Sequence, residues 1–333
     1  MYKIALVPSR SGQHGIFVMN SDTSGGKLLT PEATARLSSS SWSPDGRKIA
    51  FYAAPHQDSE LAGSFQIPGH QLLYVSNSAG GGEKRLFSFP VSDFEWSPDG
   101  QKLLYVSASE NPERLDPAVL RGTKSLLSAI YVLDFRSGER KRLTDFGLNC
   151  SGAWSPDNAH LALSLGSRSG SDLYVVNLNN GQTRRVTDSQ DINIAPSWSP
   201  DGKTIAYVCM GSPGNDKDAG INRVDSGGAN KIRIFDRMAY KAAWSPDGKS
   251  VLVQSATGIY LIPAFGGQAT ELYTGRGRPL DAVFSPDGRK VLFRSNHEDA
   301  WQLYSVDLNG GNLRRVTHLS AASFCVSPLL SKD

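Results

Sequence analysis

The chain has 333 residues, 39% of them hydrophobic, with 33 glycines and a formal net charge of +3. No apolar run approaches the ~20 residues that span a bilayer, which excludes helical membrane insertion, and Lys and Arg are spread along the chain rather than gathered into the stripe a nucleic-acid surface requires. Cys150, Cys209 and Cys325 are far apart, with neither a CxxC nor a zinc spacing, and read as small buried thiols.

The N-terminus, "MYKIALVPSRSG", has too short an apolar run for a signal peptide, so the expected compartment is the cytoplasm, or the periplasm or exterior if a leader has been removed. "KIALVPS" (3–9) reads as a strand. Next comes "GIFVMNSDTSGGKLLT" (15–30), the first copy of a pattern that recurs at 72–87, 129–144, 172–187, 258–273 and 302–317, with a weaker copy at 221–235.

A second pattern starts with "SWSPDGRKIAF" (41–51) and returns at 95–105, 153–163, 197–207, 243–253 and 283–293. Its prolines, Pro44, Pro98, Pro156, Pro200, Pro246 and Pro286, are separated by 54, 58, 44, 46 and 40 residues, and 42 more lead to Pro328 in "FCVSP". That last copy keeps Ser327 and Pro328 and has lost the Asp and Gly. Short runs of branched and aromatic residues bounded by Gly, Pro, Asn and Asp are strands. Four per repeat, at periods of roughly 40–45 residues, form a propeller blade. Strand A ends at the aromatic before SPDG, and strand B follows that turn. Strand C is the "IYVVN" run and strand D the "RRVT" run.

The turn has a physical cause. Pro pre-sets φ at the second position of a type I turn, Asp suits the third, and Gly takes the left-handed position after it. The aromatics Trp42, Trp96, Trp154, Trp198, Trp244 and Phe284 are expected to fill the seams between blades, stabilising by roughly 1.5–3 kcal/mol each. Trp301 alone among the tryptophans lies elsewhere.

The chain starts in a strand B and ends in a lone strand A. The expected fold is therefore all-β: a monomeric, seven-bladed β-propeller of four-stranded antiparallel blades, the ring closed by the C-terminal strand joining the N-terminal blade. The expected blades are 2–31 with 322–328, then 39–89, 93–145, 151–188, 195–237, 241–275 and 281–318, all in one domain.

The WSPDG–(K/R)–x–(I/L)–A–(F/Y) … (I/L)YV … GG … RRLT pattern resembles the TolB-type, WD-repeat-like propeller repeat over essentially the whole chain. The same repeats occur in the non-catalytic propellers of prolyl-oligopeptidase-like enzymes and in oligogalacturonate lyases. TolB itself carries a leader, a separate α/β domain and usually six blades, so the resemblance implies a relative of TolB and not TolB. The G-x-S-x-G elbow of the peptidase relatives is missing; "GSRSG" (166–170) has Arg168 where the Ser belongs.

The SPDG and GG turns are short and uniform, while the B–C and D–A loops vary. The B–C loops of the second and third blades, 53–71 and 109–128, are long; Asp116 and Pro117 suit a short helix start. The fifth blade adds 210–220. Long loops on one rigid face are more often functional. Candidate binding residues there are Asp93, Glu95, Asp191, Arg237, Lys241, Arg278, Asp281, His56, His70, Arg114 and Arg121, with Arg36, Ser151, Ser197 and Arg276 adjoining. The basic pairs Lys141/Arg142, Arg184/Arg185 and Arg314/Arg315 fall on strand D, where charge protects an exposed edge.

The function this implies is a non-enzymatic propeller that binds a protein or peptide through its loop face and channel mouth, with no cofactor. The alternative is a metal-assisted lyase or hydrolase on acidic oligosaccharides, resembling oligogalacturonate lyase, with His56, His70 and His297 as ligands. His14 and His318 fall on the same face, but no H-x-H or H-x-x-H spacing supports a metal.

Overall fold

The computed structural model describes residues 2–8, 15–30, 37–53, 72–82, 84–87, 91–107, 128–145, 147, 151–167, 170–212, 218–275, 277–297, 300–317 and 321–330. Among these residues there is no helix, and every strand belongs to one of seven four-stranded antiparallel sheets. The chain is an all-β, seven-bladed β-propeller.

Two compact units carry the blades. Met1–Phe146 with Val316–Asp333 holds three. Blade 1 contains β1 (Tyr2–Pro8), β2 (Phe17–Asn20), β3 (Lys27–Leu28) and the last strand, β28 (Ala321–Leu330). Blade 2 contains β4 (Leu37–Trp42), β5 (Lys48–Ala53), β6 (Leu72–Asn77) and β7 (Lys84–Arg85). Blade 3 contains β8 (Asp93–Trp96), β9 (Lys102–Ser107), β10 (Ala129–Asp134) and β11 (Arg140–Arg142).

The second unit, Gly147–Arg315, holds four blades. Blade 4 is β12 (Ser151–Trp154), β13 (His160–Ser167), β14 (Gly170–Asn177) and β15 (Thr183–Arg185). Blade 5 is β16 (Asn193–Trp198), β17 (Thr204–Cys209), β18 (Gly220–Asp225) and β19 (Ile232–Phe235). Blade 6 is β20 (Lys241–Trp244), β21 (Ser250–Gln254), β22 (Ile259–Pro263) and β23 (Thr270–Tyr273). Blade 7 is β24 (Leu280–Phe284), β25 (Lys290–Ser295), β26 (Gln302–Asp307) and β27 (Arg314–Arg315).

β28 pairs antiparallel with β1, Ile4 facing Val326 and Leu6 facing Phe324. The last strand thus completes the sheet that the first strands begin, and the inner edge of β1 is not left open. The two middle strands of a blade have neighbours on both faces. They therefore read as near-continuous apolar runs, such as "KIAFYA" in β5 and "KVLFRS" in β25, buried after the first residue. Strands D are short, and in β7, β11, β15 and β27 every residue is exposed.

The A–B hairpin is held by more than the preferred backbone angles of Pro, Asp and Gly. The Gly46 N–H donates to the Ser43 carbonyl (2.8 Å), closing the type I turn, and Gly46 sits at φ 64°. The Ser43 hydroxyl, wholly buried, donates to Asp45 Oδ1 (2.6 Å) and accepts the Lys48 N–H (2.9 Å). Asp45 Oδ1 also accepts the Arg47 N–H (3.0 Å). The same Ser–Asp lock, at 2.6 Å, is made by Ser97–Asp99, Ser199–Asp201, Ser245–Asp247 and Ser285–Asp287. In blade 4 Asn158 takes the glycine position at φ 59°, which a short amide side chain tolerates.

The aromatic before each turn joins blades within a unit. Trp96 Nε1 donates to the Ser41 carbonyl (3.3 Å), Trp198 Nε1 to Ala153 (3.2 Å) and Trp244 Nε1 to Ser197 (3.1 Å). Each acceptor is the residue before the aromatic of the preceding blade. Trp42, Trp96, Trp154 and Trp198 are buried, as the repeat predicts, whereas Trp244 and Phe284 are half-buried. Around these rings lie continuous apolar clusters shared by successive blades, such as Tyr52, Leu73, Phe87, Trp96 and Tyr131 in the first unit and Ala153, Val175, Trp198 and Tyr207 in the second.

Trp42 differs from its counterparts. Its Nε1 is buried with no hydrogen-bond partner among the described residues. Trp198→Phe removes a made hydrogen bond, so it is expected to destabilise by about 1 kcal/mol more than Trp42→Phe, which removes only an unsatisfied donor. Urea denaturation of both variants checks this; equal losses would contradict it.

The turn carboxylates give a second expectation. The Ser199 and Ser245 hydroxyls, followed by backbone N–H groups, hold Asp201 and Asp247 below the ordinary carboxylate value of 3.8. Their folded pKa is depressed, so their contribution is complete above the unfolded value and is lost as pH falls below it. Chemical denaturation should show stability falling below about pH 4, and Asp247→Asn should flatten that fall.

Candidate functional site

In each blade the A–B and C–D turns lie at one end, and the B–C and D–A connections at the other. Of the expected site residues on the connections, His56, His70, Arg114 and Arg121 lie outside the described residues, as do Arg36, Arg276, His14, His318 and the Asp116–Pro117 helix start.

In the first unit, Asp93 and Glu95 are exposed on the inner strand β8. Asp93 Oδ1 accepts the Phe94 N–H (2.9 Å). Beneath them Tyr52 is buried, its ring edge-on to Phe94 at 5.0 Å. Burial first, and then the Asp93 charge, keep the Tyr52 hydroxyl protonated far above its usual range.

In the second unit, the D–A segment 236–241 carries Arg237, Tyr240 and Lys241, and the segment 277–281 carries Arg278 and Asp281. Arg237 Nη1 donates to Tyr260 Oη (3.3 Å), and its guanidinium lies 4.4 Å from the Tyr260 ring centre and 4.9 Å from that of Phe235. Tyr240 is anchored by its N–H to the Gln254 carbonyl (2.9 Å) but leaves 43% of its surface exposed. The Arg278 guanidinium lies 5.9 Å from the Tyr240 ring centre, while its backbone N–H donates to Asn296 Oδ1 (2.8 Å). Aromatic faces attract guanidinium groups and hold them in a plane.

Asp281 is positioned differently. It stands at φ 57°, where β24 shifts register between Leu280 and Val283. The next amide, Ala282 N–H, is taken by Gln254 Oε1 of the preceding blade (3.0 Å). The Asp281 carboxylate pairs with Arg294 Nε at 2.7 Å, and the Arg294 guanidinium lies 5.1 Å from the Trp301 ring centre. Blade 5 repeats the device: Ala195 stands at φ 50°, β16 shifts register between Ile194 and Ser197, and Ser151 Oγ accepts the Ala195 N–H (2.9 Å). Ser151 therefore serves the inner-strand bulge of its neighbour.

Asp191 accepts a hydrogen bond from Ser212 Oγ (3.1 Å). His297 packs against Tyr304, ring centres 4.5 Å apart, and Gly277 passes so close that a Cβ there would lie 2.5 Å from the His297 nitrogen. Among the described residues no group of three or more His, Cys, Asp or Glu is placed to hold a metal ion, and no helix is long and apolar enough to cross a membrane. Three participants escaped the sequence reading: Tyr240, Arg294 and Trp301. Trp301 left a signal, being the one tryptophan outside the repeat position. Arg185 also departs from its expected role as an edge charge, since it pairs with the buried Asp172 at 2.5 Å.

The chain matches the TolB beta propeller domain over residues 122–256 and 214–333. It is 28% identical to the "Uncharacterized peptidase YuxL" of Bacillus subtilis over 216 residues, 62% of this chain and 29% of that protein. It is 22% identical to "Dipeptidyl-peptidase 5" of Porphyromonas gingivalis over 361 aligned residues, 93% of this chain and 51% of that protein. The chain thus spans about half or less of these two relatives. Among solved structures it superposes on an oligogalacturonate lyase in complex with manganese with a TM-score of 0.68, at 14% identity, covering 92% of this chain and 86% of that one. That likeness is one of fold.

The Asp281–Arg294 pair generates a prediction. Arg294 is buried and Asp281 is partly so, its side chain 42% exposed. Asp281→Asn keeps a residue suited to the left-handed backbone but removes the charge that pairs with Arg294 Nε. The expected loss is about 1–2 kcal/mol, below the 3–5 kcal/mol of a fully buried pair. Denaturant unfolding measures it; an unchanged midpoint would show that the pair does not hold the bulge.

Proposed function

The chain belongs to the TolB beta propeller family, and from that premise we propose that it is a binding module that captures an acidic peptide segment on the loop end of blades 5 to 7. The observation that carries this reading is three exposed cations on these connections, Arg237, Lys241 and Arg278, the last beside the exposed ring of Tyr240. Within 236–241 and 277–281 the acidic residues are Asp236 and Asp281, and Asp281 is already engaged by Arg294. The excess charge is positive.

Guanidinium groups recognise carboxylates through paired, charge-assisted hydrogen bonds. Two of these are pre-placed against aromatic faces, so less conformational freedom is lost when a ligand binds. Tyr240 and Trp301 supply flat apolar surface for the peptide's non-polar atoms. Two relatives named as peptidases fit a peptide ligand. Asp93 and Glu95 of the first unit are a separate acidic element, suited to basic residues of a partner.

A panel of fluorescent heptapeptides, acidic, neutral and basic, tests the reading by anisotropy. Acidic peptides should bind best, more weakly as salt rises. The double variant Arg237→Ala/Arg278→Ala should weaken them about tenfold or more with the melting temperature little changed. Acidic peptides that fail to bind, or that bind the double variant equally well, would overturn the proposal.

A further inference from the structure

Blade 4 departs from the repeat at its C–D end, and a cavity lies there. In blades 2, 3 and 7 a lysine begins strand B opposite the end of strand C: Lys48 faces Asn77, Lys102 faces Asp134 and Lys290 faces Asp307, while blades 5 and 6 have Thr204 and Ser250 there. Blade 4 has His160 facing Asn177.

Two other seams place a cation over a ring here. Between blades 2 and 3, Lys48 Nζ lies 4.7 Å over the Phe135 ring. Between blades 5 and 6, the Arg223 guanidinium lies 4.4 Å from the ring of Phe265. Between blades 4 and 5 neither pairing is made: His160 stands at the position of Lys48, Val175 is the valine that Val18, Val75 and Val132 also place there, and Ser226 and Gly227 stand where blade 3 has Phe135 and blade 6 has Phe265. Blade 4 itself lines a cavity of about 340 Å³ with His160, Val175, Asn177, Gln182, Thr183 and Arg184, within the range of small-molecule sites.

The hydrogen bonds fix what this cavity presents. Asn177 Oδ1 accepts the N–H groups of Asn179 (2.9 Å) and Asn180 (3.3 Å), which turns its amide nitrogen toward His160 Nε2 at 3.1 Å. His160 Nε2 is therefore the acceptor, and its Nδ1–H donates to Asp157 Oδ2 (2.7 Å). Both imidazole nitrogens are occupied in this arrangement. The ring forms a wall, with the Asp157 carboxylate behind it. The charged group of the lining is Arg184. Its Nη2 donates to the Ser226 carbonyl (2.8 Å), which anchors the guanidinium and leaves the rest of its donor fork for a ligand. The Thr183 hydroxyl and the Gln182 amide are further donors in the lining.

We propose that this cavity binds a small oxyanion, a carboxylate or phosphate group, on Arg184. The site is at the turn end of blade 4 and is independent of the loop-end peptide site.

Isothermal titration of the full chain with sodium phosphate and with sodium acetate, at constant ionic strength, tests it. Saturable binding of either anion is expected, weakened about tenfold or more by Arg184→Gln. Phosphate binding without acetate binding would assign the phosphate class, and the reverse the carboxylate class. If neither anion saturates by about 50 mM, or if Arg184→Gln binds as tightly as the parent, the proposal is overturned.

Discussion

The structure depends on one contact repeated along the chain: an indole N–H reaching a backbone carbonyl of the blade before it. Trp96, Trp198 and Trp244 each make it, and each donates to the carbonyl of the residue preceding the neighbour's own aromatic. That acceptor lies at the end of strand A, where the Ser–Asp lock begins. The hairpin lock therefore fixes where the aromatic stands, and the aromatic fixes where the next blade stands. A carbonyl there is not spare either, because a buried backbone acceptor must be paired. The same few residues thus set the turn, the seam and the spacing.

This coupling explains why the fold was legible in the sequence. Pro, Asp and Gly announce the turn through backbone preference, and the aromatic announces the seam through size. Six copies, 40 to 58 residues apart, make the pattern visible, and Ser327–Pro328 mark the strand that pairs with β1. The turn serine has no such backbone signature. Its hydroxyl is the hub of the hairpin, accepting one N–H and donating to the carboxylate. Sequence repetition alone does not separate a residue kept for its hydroxyl from one kept for its small size.

The site was less legible, for a different reason. The left-handed backbone at Ala195 and Asp281 breaks the usual link between residue type and conformation. It is stabilised by acceptors on another blade, Ser151 Oγ and Gln254 Oε1. No local pattern predicts a conformation whose cause is 28 or 44 residues away, though local rules are expected to fail where a site is built. Arg237 and Arg278 were found by their position on the loops, but their roles come from ring faces: Arg237 from Tyr260, within the following blade, and Arg278 from Tyr240, ahead of its own blade. Arg185 was assigned to edge protection, yet its partner Asp172 lies in the adjacent strand of the same blade.

A repeat protein offers an internal control that other folds lack. Each blade shows what a given position does when it is only structural, so a departure can be weighed against its equivalents. His160, Ser226 and Gly227 are unremarkable one by one. Set against Lys48, Phe135 and Phe265, each is smaller than its equivalent, and Ser226 accepts from Arg184 at the cavity of blade 4. Dense packing elsewhere makes such a gap unfavourable unless something occupies it. The loops of blades 5 to 7 depart in the other sense, adding arginines and aromatic rings where the frame needs neither. Function in this chain is best sought where the departures share a direction, and the two ends of the blades meet that condition with different chemistry.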